Sequence, residues 1–401
     1  MERKSILLKR ASIKYFIFLL FILLQSCYNS TSKRELSKRI TQLESKTLTE
    51  SQVDSIVKAH MPAPIEFPGQ VQQGINIEYT DVTINFATNR NKDELKGDFG
   101  KERSNNLHYG QCKITIPKIH KVGEIEKPFL NVSRFSDPTQ HIILANTHVQ
   151  DKVTFYSNLR SRVSQSRDKS AFIFIHGYKT SFEDAAKRTA QIHHDLEFNG
   201  APIFFSWPSQ DLFQKYMEDE ANIDWAQTHL EQFLKEFLTN TNSENVYIIA
   251  HSMGSRAISN VLFKVTNSIP GSRNKIRELI LAAPDIDAMV FQRDIAPDLI
   301  RSCERVTLYA SASDLALTVS KQFHGHQRLG DSNNGVITLL GLESIDATGV
   351  DTGLTGHSYF STSRTIISDI SYLINQKLGA SKRYGLTQVN GSSIPYWKFN
   401  Q

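Results

Sequence analysis

The 401-residue chain sets 46 Lys and Arg against 41 Asp and Glu for a net charge of +5, and 40% of its residues are hydrophobic. With no fixed-period repeat and no low-complexity tract, this composition excludes a disordered or fibrous chain and suits one large domain or two smaller ones. Arg3, Lys4, Lys9, Arg10 and Lys14 against Glu2 carry +4 of the charge, so residues 27–401 carry +1, which argues against the basic face that a nucleic-acid partner needs.

The first element in chain order is the apolar run Tyr15–Leu24. Its ten residues fall short of the roughly 20 that span a bilayer as a helix, and they fit the apolar core of a secretory signal behind a basic region. Leu24-Gln25-Ser26-Cys27 follows. It resembles a bacterial lipobox, with Gln25 looser than the usual small or apolar residue. The resemblance implies a signal peptide over 1–26, a lipid on Cys27, and a membrane-anchored lipoprotein of the periplasm or outer membrane. Tyr28 stands where an inner-membrane retention signal has aspartate. A plain signal peptide, or an uncleaved anchor with a chance cysteine, is the competing reading.

Residues 27–75 read as a polar tether with weak helix, ended by Pro62, Pro64 and Pro68. A β-containing extension is expected over 76–165, with strands in "VTINFATNR", "CKITIPKIH" and "HIILANTH". A Lys/Asp/Gly/Asn-rich excursion separates the first two, from Asn91 to Asn106. Val153, Phe155, Leu159 and Val163 then recur at helical spacing. The main pattern occupies 166–380, and a tail is expected over 381–401. "AFIFIHG", "APIFFSWPS", "NVYIIAHS", "ELILAAPD" and "RVTLYAS" are near-continuous apolar runs separated by helical segments. Such runs are buried parallel strands, and their alternation with helices predicts a mostly parallel, doubly wound α/β sheet. Ser181 is placed to cap the helix that follows the first run, with Asp184 three residues on.

Ligands gather at the carboxyl ends of strands in such sheets. Those ends carry His176-Gly177-Tyr178, Ser206-Trp207-Pro208, His251-Ser252-Met253-Gly254, Pro284-Asp285-Ile286-Asp287 and Ser311-Ala312-Ser313-Asp314, with Gly356-His357-Ser358 later. A serine at a tight strand-to-helix turn is either a small polar cap or a nucleophile. A nucleophilic serine needs a base to take its proton and an acid to orient that base. His357 and Asp314 supply them, 43 residues apart with Asp314 62 residues after Ser252. Asp285 and Asp287 compete for the acid's place, Ser255 is the nearest rival nucleophile, and His357 is otherwise a loop histidine.

Ala250-His251-Ser252-Met253-Gly254 resembles the Gly-x-Ser-x-Gly elbow of α/β-hydrolases, with Ala250 departing from the first glycine. The order Ser, Asp, His also matches that fold. "FATNR", "IPKIH" and "VGEIEKP" resemble a bacterial esterase/lipase-like family of unconfirmed substrate. The resemblance implies an α/β-hydrolase fold with Ser252, Asp314 and His357 catalytic. It places the oxyanion hole at the backbone N–H groups of Tyr178 and Met253, and His176, Gly177, Trp207 and His251 along the pocket. Trp207 is equally readable as a core residue.

The expected reaction is hydrolysis of a small-molecule or lipid carboxylic ester through an acyl-serine. An amidase or peptidase, or an idle scaffold that binds at a surface, are the alternatives. The mechanism calls for no cofactor. His193-His194 and His324-Gly325-His326 read as packing and rim residues, and no metal site is expected. Cys112 and Cys303 either pair, as an exported protein allows, or stay as buried thiols.

Overall fold

The apolar runs become strands. The computed structural model describes residues 78–93, 97–128, 136–350, 359–390 and 394–400, and its strands form one 11-stranded sheet. The proposed signal, Cys27, the 27–75 tether and His357 lie outside the described residues. The strands are β1 (Tyr79–Asp93), β2 (Asp98–Pro117), β3 (Ile143–Gln150), β4 (Ser170–Ile175), β5 (Ala201–Ser206), β6 (Asn245–His251), β7 (Ile276–Ala282), β8 (Val306–Ala310), β9 (Leu342–Asp346), β10 (Leu386–Val389) and β11 (Tyr396–Phe399). Their spatial order is β10-β11-β9-β8-β7-β6-β4-β5-β1-β2-β3. From β11 to β1 every neighbouring pair is parallel. The two margins are antiparallel.

Side-chain alternation splits the central strands between two layers. Ile173 and Ile175 of β4 face one core, and Phe172 and Phe174 face the other. Both layers are covered by helices: α1 (Lys152–Gln165), α2 (Phe182–Asp195), α3 (Tyr216–Asn240), α4 (Met253–Ser268), α5 (Leu315–His324) and α6 (Arg364–Asn375). Phe233 of α3 and Val261 of α4 share the core of Ile173, while Ala186 of α2 and Ile367 of α6 share that of Phe172. Ser181 caps α2 by accepting from the Asp184 N–H at 3.0 Å and donating to its carboxylate at 2.7 Å. In α1, Phe155, Leu159 and Val163 are buried together with Tyr156. Val153, in the first turn, instead faces solvent at 80% exposure.

Two expectations change. The excursion at 91–106 belongs largely to a hairpin, because β1 continues to Asp93 and β2 begins at Asp98. An antiparallel ladder satisfies its own backbone groups and tolerates polar side chains on its wet face, so polar composition there did not mean loop. Register shifts flank Arg90 on both sides. Residues 386–389 and 396–399 of the expected tail add β10 and β11 to the sheet, and β11 pairs with β9. Cys112 and Cys303 are free and buried, and burial pushes the Cys112 thiol up to about 12. Among the described residues no helix is long and apolar enough to cross a membrane.

Chain order reverses across β4. The strand after it, β5, lies on one side, and the next, β6, lies on the other. Ligands of such sheets gather at the carboxyl end of a switch point, which here is formed by the turns after β4 and β6.

The "IPKIH" end of β2 is tied to α2 by His120. Its Nδ1 lies 2.9 Å from Glu126 and its Nε2 lies 2.8 Å from Asp195. Burial opposes a charge there, but Asp195 and Glu126 outweigh it and push the imidazole up to about 9. His194, 5.4 Å away ring to ring, is lowered by burial and by His120. The folded value lies above the unfolded one of roughly 6.5. His120 therefore contributes its full stabilisation below that pH and loses it as pH rises toward about 9. Denaturant midpoints of the wild type are expected to fall across this window, and the fall is expected to flatten in His120→Gln. An unchanged slope in the variant would remove His120 from the account.

Candidate active site

Ser252 sits between β6 and α4 with φ 51° and ψ −121°. A non-glycine residue with positive φ is uncommon, and such strain collects at functional sites. The surrounding backbone holds it there. The Ser252 N–H donates to the Ala282 carbonyl at 3.0 Å, and its own carbonyl accepts from Ser255 at 3.0 Å and Asp285 at 3.3 Å. Close approach explains both flanking glycines. A Cβ on Gly254 would lie 2.5 Å from the His176 carbonyl oxygen, and one on Gly177 would lie 2.8 Å from the Ser252 Cβ. Ala250, the departure from the usual glycine, fits in a fully buried strand position between β4 and β7. The Ser255 hydroxyl donates to the Ala250 carbonyl at 2.9 Å, so the rival serine is engaged as a helix-turn residue.

The first turn of α4 begins at Met253. N–H groups in the first turn have no partner within the helix, and the helix dipole favours negative charge at that end. The turn after β4 packs Gly177 against Ser252 and carries Tyr178 next. The Tyr178 ring meets Tyr216 edge to face at 5.5 Å. Burial and the carboxylates of Asp285, Asp219 and Asp314 push its phenol up to about 12.

The other residues expected at the pocket divide. His251 stacks on Phe360 at 4.6 Å, two residues beyond the undescribed segment 351–358 that holds His357. Trp207 is fully buried in the core and stacks on His176 at 5.0 Å. Its indole N–H donates to the His176 carbonyl at 2.8 Å, so it backs the turn after β4 from inside the core. His176 is itself fully enclosed, and burial together with Arg90 lowers its pKa to about 3.

The three aspartates have different environments. Asp314 follows β8, is 1% exposed, and caps α5 by accepting from the Leu317 N–H at 3.0 Å. Asp285 is committed elsewhere: its carboxylate accepts from Arg328 at 2.6 Å, from Ser320 at 2.8 Å and from the Tyr216 hydroxyl. Burial raises its pKa, but Arg328 and these donors outweigh it and hold the group below the usual carboxylate range. Asp287 caps a short helical turn through Met289 and Val290 N–H groups.

The rim is polar. Glu220 accepts from Arg256 at 2.8 Å and lies 3.0 Å from His324. Among the described residues no three His, Cys, Asp or Glu gather as metal ligands. His193 packs instead against Phe172 and Phe198.

Arg90, within "FATNR", carries no site signal in the sequence. Arg90 is fully buried beside His176 and under the turn that carries Tyr178. Its signal in the sequence was one cation at the end of an apolar strand, which ordinarily reads as a solvated edge.

A family described as alpha/beta hydrolase of unknown function (DUF900) matches residues 151–377. No curated protein matches the chain. Among solved structures, an uncharacterized protein from Bacillus cereus is 13% identical, covering 53% of this chain at a TM-score of 0.34. The chain spans 61% of that protein. An inhibited esterase B from Lactobacillus rhamnosis is 8% identical over 76% of this chain and 87% of its own, with a TM-score of 0.33. A hyperthermophilic esterase from the archaeon Pyrobaculum calidifontis is 10% identical over 75% and 83%, with a TM-score of 0.30.

Proposed function

The chain belongs to this family of alpha/beta hydrolases, and from that premise we propose that it is a serine hydrolase acting on carboxylic esters. One observation carries the proposal: Ser252 is held at φ 51° on the tip of β6, against the turn after β4. Folding alone gives no reason to keep a strained serine where glycine would relax.

In this reading the Ser252 Oγ attacks the acyl carbon while His357 takes its proton. Asp314 holds the imidazole and stabilises the imidazolium. Negative charge on the carbonyl oxygen is met by the N–H groups of Met253 and Tyr178, each such donor contributing about 10²–10³ in rate. His357 returns the proton to the alcohol as it leaves. Water, activated by the same imidazole, then releases the acid from the acyl-serine.

A fluorophosphonate probe tests the reading directly. It is expected to label Ser252 of the purified folded protein, and a panel of acyl esters and amides is expected to show turnover of the esters. Failure to label Ser252 would remove the nucleophile.

We also propose that Cys27 carries the lipid anchor. One acyl chain binds membranes only marginally, and firm anchoring takes two signals. A lipidated N-terminal cysteine supplies that many, and residues 28–75 then space the hydrolase from the surface. In the native host, Cys27→Ser is expected to move the protein from the membrane fraction. A wild-type protein recovered soluble with an unmodified N-terminal peptide contradicts the anchor and leaves the hydrolase untouched.

A further inference from the structure

We propose that Arg90, from the "FATNR" strand outside the family match, is a positioning residue that sets the Tyr178 N–H of the oxyanion hole. The inference rests on the serine hydrolase reading above.

The guanidinium is enclosed and fully engaged. Its Nε donates to the Ser206 hydroxyl at 2.8 Å. One terminal nitrogen donates to the carbonyls of Gly100 at 3.0 Å and Ser209 at 3.2 Å. The other donates to the Thr180 carbonyl at 2.8 Å and lies 3.5 Å from His176 Nε2. Arginine has five N–H groups and no acceptor, and the Ser206 hydroxyl, 3.2 Å from the same nitrogen, can donate to it, so His176 Nε2 is the acceptor. The ring proton is thereby assigned to Nδ1, which donates to the Gly177 carbonyl at 2.8 Å.

That bond acts on the hole itself. The Gly177 carbonyl and the Tyr178 N–H belong to one planar trans peptide, on opposite sides of it. Fixing the carbonyl toward His176 fixes the direction of the Tyr178 N–H. The far side of the turn is pinned by Asp219, which is buried in the core. It accepts from the Lys179 N–H at 3.0 Å and from Ser209 at 2.6 Å, and Ser209 accepts from the Thr180 N–H at 3.0 Å. Lys179 sits at φ 53°. A non-glycine residue persists in that conformation only where its surroundings impose it.

The placement is costly in isolation. Burial lowers the Arg90 pKa to about 9 against the pull of Asp219, and its acceptors are neutral carbonyls, a hydroxyl and the neutral His176 imidazole. A plain structural cation would be cheaper at the surface. Here it ties β1 to the end of β5 and to the turn after β4 at once.

The test begins with fluorophosphonate labelling of wild type, then compares Arg90→Lys and Ser206→Ala. Thermal melts establish that each variant is folded, and active-site titration counts competent sites. Lysine keeps the charge but loses the planar fork. A misplacement of about 1 Å can cost roughly 10²-fold in rate. Arg90→Lys is expected to lower kcat per site by roughly that factor with KM within a few-fold, and to weaken a boronic acid inhibitor in parallel, since its tetrahedral adduct occupies the hole. Ser206→Ala, a milder change that removes the hydroxyl accepting from Arg90 Nε and lying 3.2 Å from His176 Nε2, is expected to lower kcat several-fold in the same manner, and it carries the test if Arg90→Lys does not fold. Folded variants with wild-type kcat and inhibitor affinity overturn the positioning role while the labelled wild type keeps the hydrolase reading. An unlabelled wild type overturns both.

Discussion

Ser252→Ala is expected to lower kcat by about 10⁶, the scale of losing a serine nucleophile from an intact triad, and to abolish fluorophosphonate labelling. The fold is expected to survive, because the hydroxyl is not what holds the turn. Backbone bonds to Ala282, Ser255 and Asp285 do that. Ser252→Gly separates strain from chemistry. At φ 51° any Cβ is strained, at a cost on the order of 1–3 kcal/mol. Glycine relieves it, offset in part by the greater freedom of the unfolded chain. Ser252→Gly is therefore expected to be as inert as Ser252→Ala and more stable by about 1 kcal/mol in urea unfolding. A glycine variant less stable than the alanine variant would show that the turn stores no strain. Labelling that persists in Ser252→Ala would move the nucleophile.

The parts that sequence reading placed well depend on local chemistry. β4, β5, β6, β7 and β8 announce themselves as apolar runs because parallel strands are buried on both faces. Gly177 and Gly254 announce close approach because no other residue fits. β9 gave no such signal: its sequence LESID buries Ser344, and Ser344 satisfies itself by donating to the Ile337 carbonyl at 2.6 Å. That bond is invisible before the loop is placed. Arg90 was illegible for the same reason, since its partners Thr180, Ser206 and Ser209 lie 90 to 119 residues away. Three aspartates at strand ends looked alike in sequence. What sets Asp285 apart is tertiary: Arg328, 43 residues beyond it, together with Ser320 and Tyr216.

That distinction makes the sharper prediction. Asp314→Asn is expected to lower kcat by about 10⁴, because an asparagine favours the wrong histidine tautomer while leaving the geometry intact. Asparagine is as good a helix N-cap as aspartate, so the bond to the Leu317 N–H and the stability are expected to persist. Asp285→Asn is expected to do the reverse. It leaves the Arg328 guanidinium, nearly enclosed, facing a neutral amide, and breaking a buried pair of this kind costs roughly 3–5 kcal/mol. The folded Asp285 carboxyl lies below its usual range. Its contribution is therefore present above the unfolded value of about 3.9 and is lost as pH falls through the folded one. Urea midpoints of wild type and Asp285→Asn are expected to differ at neutral pH and converge in acid. Activity per titrated site in Asp285→Asn is expected to stay within a few-fold of wild type. If Asp285→Asn instead shows the larger loss per site, the acid that orients His357 comes from β7, and Asp314 is only the cap of α5.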